Sequence, residues 1–176
     1  MKSIGVLLIG LVLFTTAQGQ SKTTQSLHDA NKDAMALFFY KNTLRMINQT
    51  ESKEFDDLIK DIEKMKFLVI DKAQANINGA KFKTLVGDYK KEGYEEIMSS
   101  RFDGRNFDIY LKEKSGKVAG TVVLVNDSTD LYVLDILGSV PINKVPQFFQ
   151  TIDESSEIGK MMKDFASKAD GKKEDH

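Results

Sequence analysis

The sequence predicts an α+β fold: a mainly antiparallel sheet of about five to six strands with helices packed on one of its faces. Three observations lead there. Apolar residues recur at helical spacing on both sides of the chain's centre. From Tyr94 the pattern changes to short, β-rich runs separated by Gly, Asn, Asp and Ser. The connections between those runs are too short for a parallel crossover, so successive strands must lie antiparallel.

The chain opens with Lys2, the apolar run Ile4 to Phe14, and the small residues of Thr15-Thr16-Ala17-Gln18-Gly19. That order of charge, apolar stretch and small-residue exit is that of a secretory signal peptide, cut after Ala17 or Gly19. A membrane-spanning helix needs about 20 apolar residues, which this run does not reach. Residues 1–19 are therefore expected to be removed and the protein exported, to the periplasm or onward to the medium. Residues 20–34, rich in Ser, Thr, Gln, Asn and Asp, are expected to form a loose polar leader. Residues 35–167 are expected to form a single domain, and 168–176 a frayed polar tail.

Within the domain, Met35 to Ile47 is ambiguous between strand and helix, and the cluster Leu37-Phe38-Phe39-Tyr40 favours a strand. Thr50 or Ser52 caps a helix with the stripe Phe55, Leu58, Ile59 and Ile62. Lys66 to Asp71 reads as a buried strand. Asn78 caps a second helix whose stripe is Phe82, Leu85, Val86 and Tyr89, stopped by Gly93. Four strands follow as a meander: Tyr94 to Phe102, Phe107 to Lys112, Val118 to Val125 and Leu131 to Leu137. The last is almost wholly apolar, which predicts a central position. Two helices close the domain, one over 142–152 with Val145, Phe148, Phe149 and Ile152 inward, one capped by Ser155 with Ile158, Met161, Met162 and Phe165 inward.

Composition excludes several chemistries. There is no cysteine, which removes thiol nucleophiles, thiolate metal sites and a lipid-bearing cysteine. His28 and His176 are the sole histidines, and neither lies in a predicted element, which excludes Ser-His-Asp catalysis and His-based zinc sites. No Gly-rich phosphate loop occurs. A net charge of −1 offers no basic field for nucleic acid. No cofactor is predicted, and no membrane span or lipid anchor is predicted for the exported chain.

Carboxylates remain. Asn126-Asp127-Ser128-Thr129-Asp130 crowds oxygen ligands into a loop but lacks the central Gly and terminal Glu of a calcium-binding loop, so it reads as a hairpin turn. Asp135 interrupts an apolar strand, and the cost of burying an unpaired carboxylate predicts that its face is solvated. Arg101, Arg105 and Lys112, with Lys90 and Lys91, form a candidate anion patch, against the commoner reading of scattered surface charge. Phe148 and Phe149 are candidate partner contacts. Met161, Met162 and Phe165 suit an adaptable groove, but a core-facing helix stripe is the preferred explanation.

Taken together, the signal peptide, Glu54-Phe55-Asp56-Asp57-Leu58-Ile59-Lys60-Asp61-Ile62 running into Phe67-Leu68-Val69-Ile70, Tyr94-Glu95-Glu96-Ile97-Met98, Phe107 to Glu113, and the hairpin ending Val133-Leu134-Asp135-Ile136-Leu137-Gly138 form a recognisable layout. It resembles the bacterial envelope family known as domain of unknown function 4252, over about Met35 to Phe165. The resemblance implies a Gram-negative envelope protein and carries over no active site. Many relatives resemble lipoproteins, whereas the absence of cysteine here implies a soluble envelope protein. The expected function is a non-catalytic module that binds a protein or envelope component. The alternatives are a carboxylate-based hydrolase of an envelope glycan and a small-molecule carrier.

Overall fold

The computed structural model describes residues 20–47, 53–102, 104–141 and 144. Six strands form one antiparallel sheet: β1 (Met35–Tyr40), β2 (Ile62–Asp71), β3 (Glu95–Phe102), β4 (Arg105–Lys114), β5 (Lys117–Asn126) and β6 (Asp130–Gly138). Their order across the sheet is β1-β2-β6-β5-β4-β3. The four-strand meander is present, and β6 lies between β2 and β5, as its apolar sequence predicts. Four helices accompany the strands: α1 (Lys22–Ala30), α2 (Lys41–Ile47), α3 (Lys53–Ile59) and α4 (Gly79–Lys91).

The turns follow their chemistry. Ser115 and Gly116 both take positive φ at the β4–β5 connection (53° and 72°), the geometry a tight two-residue hairpin requires. Asp127 Oδ1 accepts from the backbone N–H of Thr129 (2.8 Å) and of Asp130 (2.6 Å), so the crowded loop is a side-chain-stabilised turn. At the end of β6, Gly138 has φ +112°, and a Cβ there would stand 2.1 Å from the Asp61 carbonyl oxygen. Only glycine lets β6 close against the irregular start of β2, where the register shifts between Ile62 and Lys64.

Strand alternation divides the core in two. Met65 and Phe67, with Ile109, Val123, Leu134 and Ile136, point to one face, which Leu44 of α2 and Leu58 and Ile59 of α3 cover. Leu68 and Ile70, with Tyr110, Val122, Leu124 and Val133, point to the other, which Leu85 and Tyr89 of α4 and Leu27 of α1 cover. Each large apolar side chain buried this way contributes about 1.5–3 kcal/mol. The class and the antiparallel sheet are as the sequence predicts, but the helices are shared between both faces. The reason lies in the strands, since β2, β5 and β6 are apolar at successive positions and therefore need cover on both sides.

Met35 to Ile47 resolves its ambiguity by being both: the aromatic half is β1 and the rest is α2. Asn78 caps α4 as expected, its side chain accepting from the N–H groups of Ala80 and Lys81 at 3.0 Å. The loose leader is corrected: residues 22–30 form α1, with Thr23 and Thr24 buried and Ser21 as N-cap. Hydropathy alone does not show this helix because its inward face is hydroxyl-bearing. The signal peptide, the two helices after residue 141 and the polar tail lie outside the described residues.

Candidate functional site

Two ionisable side chains are enclosed on the α1–α4 face of the sheet. Lys66 of β2 and Asp135 of β6 are direct partners across the ladder, with 2% and 0% of their surface exposed. The expectation that Asp135 faces solvent is therefore overturned. Burial becomes tolerable because α1 supplies a donor: the Ser21 backbone N–H lies 3.0 Å from Asp135 Oδ2, and Gln20 Nε2 donates to the Asp135 carbonyl at 3.1 Å. Asp135 Oδ1 has no hydrogen-bond partner among the described residues. Burial pushes the Asp135 carboxyl up to about 6, against the opposing pull of Thr24, the Ser21 amide and the Lys66 charge. Burial likewise lowers Lys66, against the attraction of Asp135 and Asp29. The Lys66 ammonium donates to Gln25 Oε1 at 2.6 Å and lies 5.1 Å from the centre of the Phe38 ring.

A second carboxylate fastens α1 to the end of α4. Glu92 accepts from Ser21 Oγ and the Lys22 N–H, each at 3.0 Å, and from both the N–H and the hydroxyl of Thr23. Its partial burial works to raise it, but these four bonds hold it below the usual carboxylate range. Beneath this clasp, Thr24 Oγ1 is 2.9 Å from the Tyr89 hydroxyl. Tyr89 stacks on Tyr110 and meets Tyr94 edge-on. Burial raises all three phenols. The first turn of α1 is thus held by two acids from different elements, which complements the positive end of a helix.

Between α1 and α4 runs a cleft of about 530 Å³. Leu27, Ile77 and Leu85 give it an apolar wall, while Lys81, Thr84 and Glu92 give it polar contacts. Asp88 also lines it, one helical turn from Glu92, which places their Cβ atoms about 6 Å apart. A glycan hydrolase needs two carboxyl groups set apart across one cleft, one of them able to give a proton. Glu92 is held ionised by its four donors and has no proton to give. Asp88 Oδ1 sits 2.8 Å from Lys91 Nζ. Asp135, the carboxyl raised toward neutrality, is sealed away from the cleft. Among the described residues, no group of three or more His, Asp or Glu could hold a metal ion.

The predicted anion patch is divided between the two ends of β3. Arg101 is exposed and Arg105 half-buried beside the β3–β4 turn, with Arg105 Nε 4.0 Å from Asp127 Oδ2. At the opposite end Lys90 faces Glu96, Lys91 faces Asp88, and Lys112 lies over the Tyr94 ring. Phe148, Phe149, Met161, Met162 and Phe165 lie outside the described residues. Sequence reasoning missed Lys66, Glu92 and the Ser21–Thr24 segment. One signal was available: a lysine and an aspartate each interrupting an apolar strand need buried partners, and a cluster of hydroxyl residues elsewhere in the chain can supply them.

The family model for the domain of unknown function DUF4252 matches residues 28–148. No curated protein matches, and no solved structure matches.

Proposed function

The chain belongs to the DUF4252 family, and on that premise we propose that it is an exported, non-catalytic envelope module that binds a partner in the α1–α4 cleft. One observation carries the reading: Glu92, a carboxylate lining the cleft, is engaged in tying its α1 wall to its α4 wall, which suits a preformed binding surface better than proton transfer. Export rests on the charge, apolar run and small-residue exit of residues 1–19. A soluble rather than lipid-anchored state rests on the absence of cysteine.

The test is a photo-crosslinking residue placed at Thr84 in the cleft, with Lys114 on the β4–β5 hairpin as control, followed by mass spectrometry of envelope extracts. A product specific to Thr84, lost when Ser26→Trp fills the cleft, is the expected result. Identical products from both positions, or none, would overturn it. A small-molecule carrier is the second reading, favoured because the cleft volume lies within the range of about 300–1,000 Å³ usual for ligand sites. Thermal-shift measurements with glycans, lipids and metal ions address it directly.

A further inference from the structure

The two edges of the sheet are built differently. β3 carries exposed Glu95, Glu96 and Arg101, and its register is broken between Glu96 and Met98. Charge and irregularity of this kind keep an edge from pairing with another chain. β1 has neither. Its sequence Met35-Ala36-Leu37-Phe38-Phe39-Tyr40 contains no charge and no proline, and it pairs with β2 from Met35 to Tyr40 without a bulge. Among the described residues nothing pairs with its outer side. Phe38 and Tyr40 are 48% and 56% exposed there.

The strand is complementary to itself. If two copies run antiparallel about a two-fold axis at Leu37, Phe38 falls opposite Ala36 of the second copy and Tyr40 opposite its Ala34, each large ring over a small residue. On the other face Phe39 falls opposite Met35, and Leu37 meets Leu37. The flanking charges are of opposite sign, exposed Asp33 in the turn before β1 and exposed Lys41 at the start of α2, so antiparallel pairing brings the acidic end of one copy toward the basic end of the other. Moving the axis by one residue loses this fit. An axis at Phe38 sets the two Phe38 rings against each other. An axis at Ala36 leaves Phe39 and Tyr40 with no β1 residue of the second copy opposite them.

We propose that the free edge of β1 is a self-association surface, pairing antiparallel with β1 of a second copy about a two-fold axis at Leu37 and joining two sheets into one. Such an interface is isologous and closes at the dimer. No β1 residue lines the α1–α4 cleft, so substitutions in the strand leave the residues of the cleft wall in place.

The absence of native cysteine makes the test clean. In the protein produced from its complete coding sequence, Leu37→Cys sets two thiols across the axis, with Cα atoms about 4.5–5.5 Å apart, within disulfide reach. Tyr40→Cys sets its two thiols about 20 Å apart along the strands and serves as the control. Tyr40→Cys combined with Ala34→Cys restores the juxtaposition. The expected result is a crosslinked dimer from Leu37→Cys and from the combined variant under mild oxidation, and none from Tyr40→Cys. Sedimentation of the protein without added cysteine should show a dimer. Asp33→Lys, which changes an exposed turn residue, should weaken that dimer about tenfold, and adding Lys41→Asp should restore it. A monomer at all concentrations, whether because another part of the chain covers the edge or because the edge takes a different protein's strand, overturns the proposal. So does a dimer that Leu37→Cys fails to crosslink.

Discussion

Lys66 and Asp135 face each other across the β2–β6 ladder, and neither reaches solvent. The pair sits in the centre of the sheet, where an apolar pair would pack without desolvation cost. What makes it tolerable is α1, whose first residues bring a donor to the acid and whose Gln25 accepts from the amine. Sheet and helix are therefore tied together by charge and hydrogen bonding as much as by apolar contact.

The acid gives stability a specific pH dependence. Folded Asp135 keeps its proton up to about pH 6, whereas in an unfolded chain an aspartate ionises near pH ~3.9. Between those values the folded state binds more protons, so the stability this residue contributes is highest below pH ~4, falls through pH ~4–6 and is flat above. Asp135→Asn cannot titrate. Urea unfolding should show the wild type losing about 2 kcal/mol relative to the variant between pH ~4.5 and ~7.5. A difference that does not change with pH would show that Asp135 titrates normally.

Lys66→Met removes the cation that steadies the ionised acid. The midpoint of Asp135, followed by NMR of its carboxyl carbon, should then rise above the wild-type value of about 6. An unchanged midpoint would mean that the two groups do not sense each other.

Glu92 is the clasp on α1. Glu92→Ala leaves the Ser21, Lys22 and Thr23 donors without their acceptor, at a cost of about 1–3 kcal/mol. Hydrogen exchange should accelerate in the amides of α1 well beyond the change seen in β5. Equal acceleration in both would show that the residue supports the whole fold and does not act locally.

Gly120 in β5 is small for a reason of space. A Cβ there would come 2.8 Å from the Tyr94 hydroxyl oxygen and 3.5 Å from its ring carbons. Gly120→Ala should cost about 1–3 kcal/mol by overpacking. In the double variant with Tyr94→Phe, part of that cost should return, because the colliding atom is gone. A strictly additive pair would refute the contact.

How much of this was legible in the sequence depends on what holds each element. The meander could be read because its hairpins carry their own turn chemistry at Ser115-Gly116 and Asp127–Asp130, and α4 because Asn78 marks its start and Leu85 and Tyr89 its inward face. α1 could not be read from hydropathy, because Thr23 and Thr24 are buried by bonding to Glu92 and Tyr89, residues some 65 to 70 positions away. Asp135 was misplaced for the same reason: its burial depends on a donor from a distant helix, and local pattern carries no record of it. The β1 edge lay in view from the start as an uncharged run, but its meaning needed the strand order.

The clasp also has a consequence for the order in which the molecule assembles. The bond from Ser21 to Asp135 closes a loop spanning 114 residues, whereas each hairpin of the meander joins close neighbours. Loop closure of that length is slow compared with local pairing. The meander should therefore be in place before α1 has anything to dock on, and α1 should come off first when the molecule opens. Weakening Glu92 would then speed unfolding and leave the folding rate nearly untouched. In that sense α1 governs the lifetime of the folded protein.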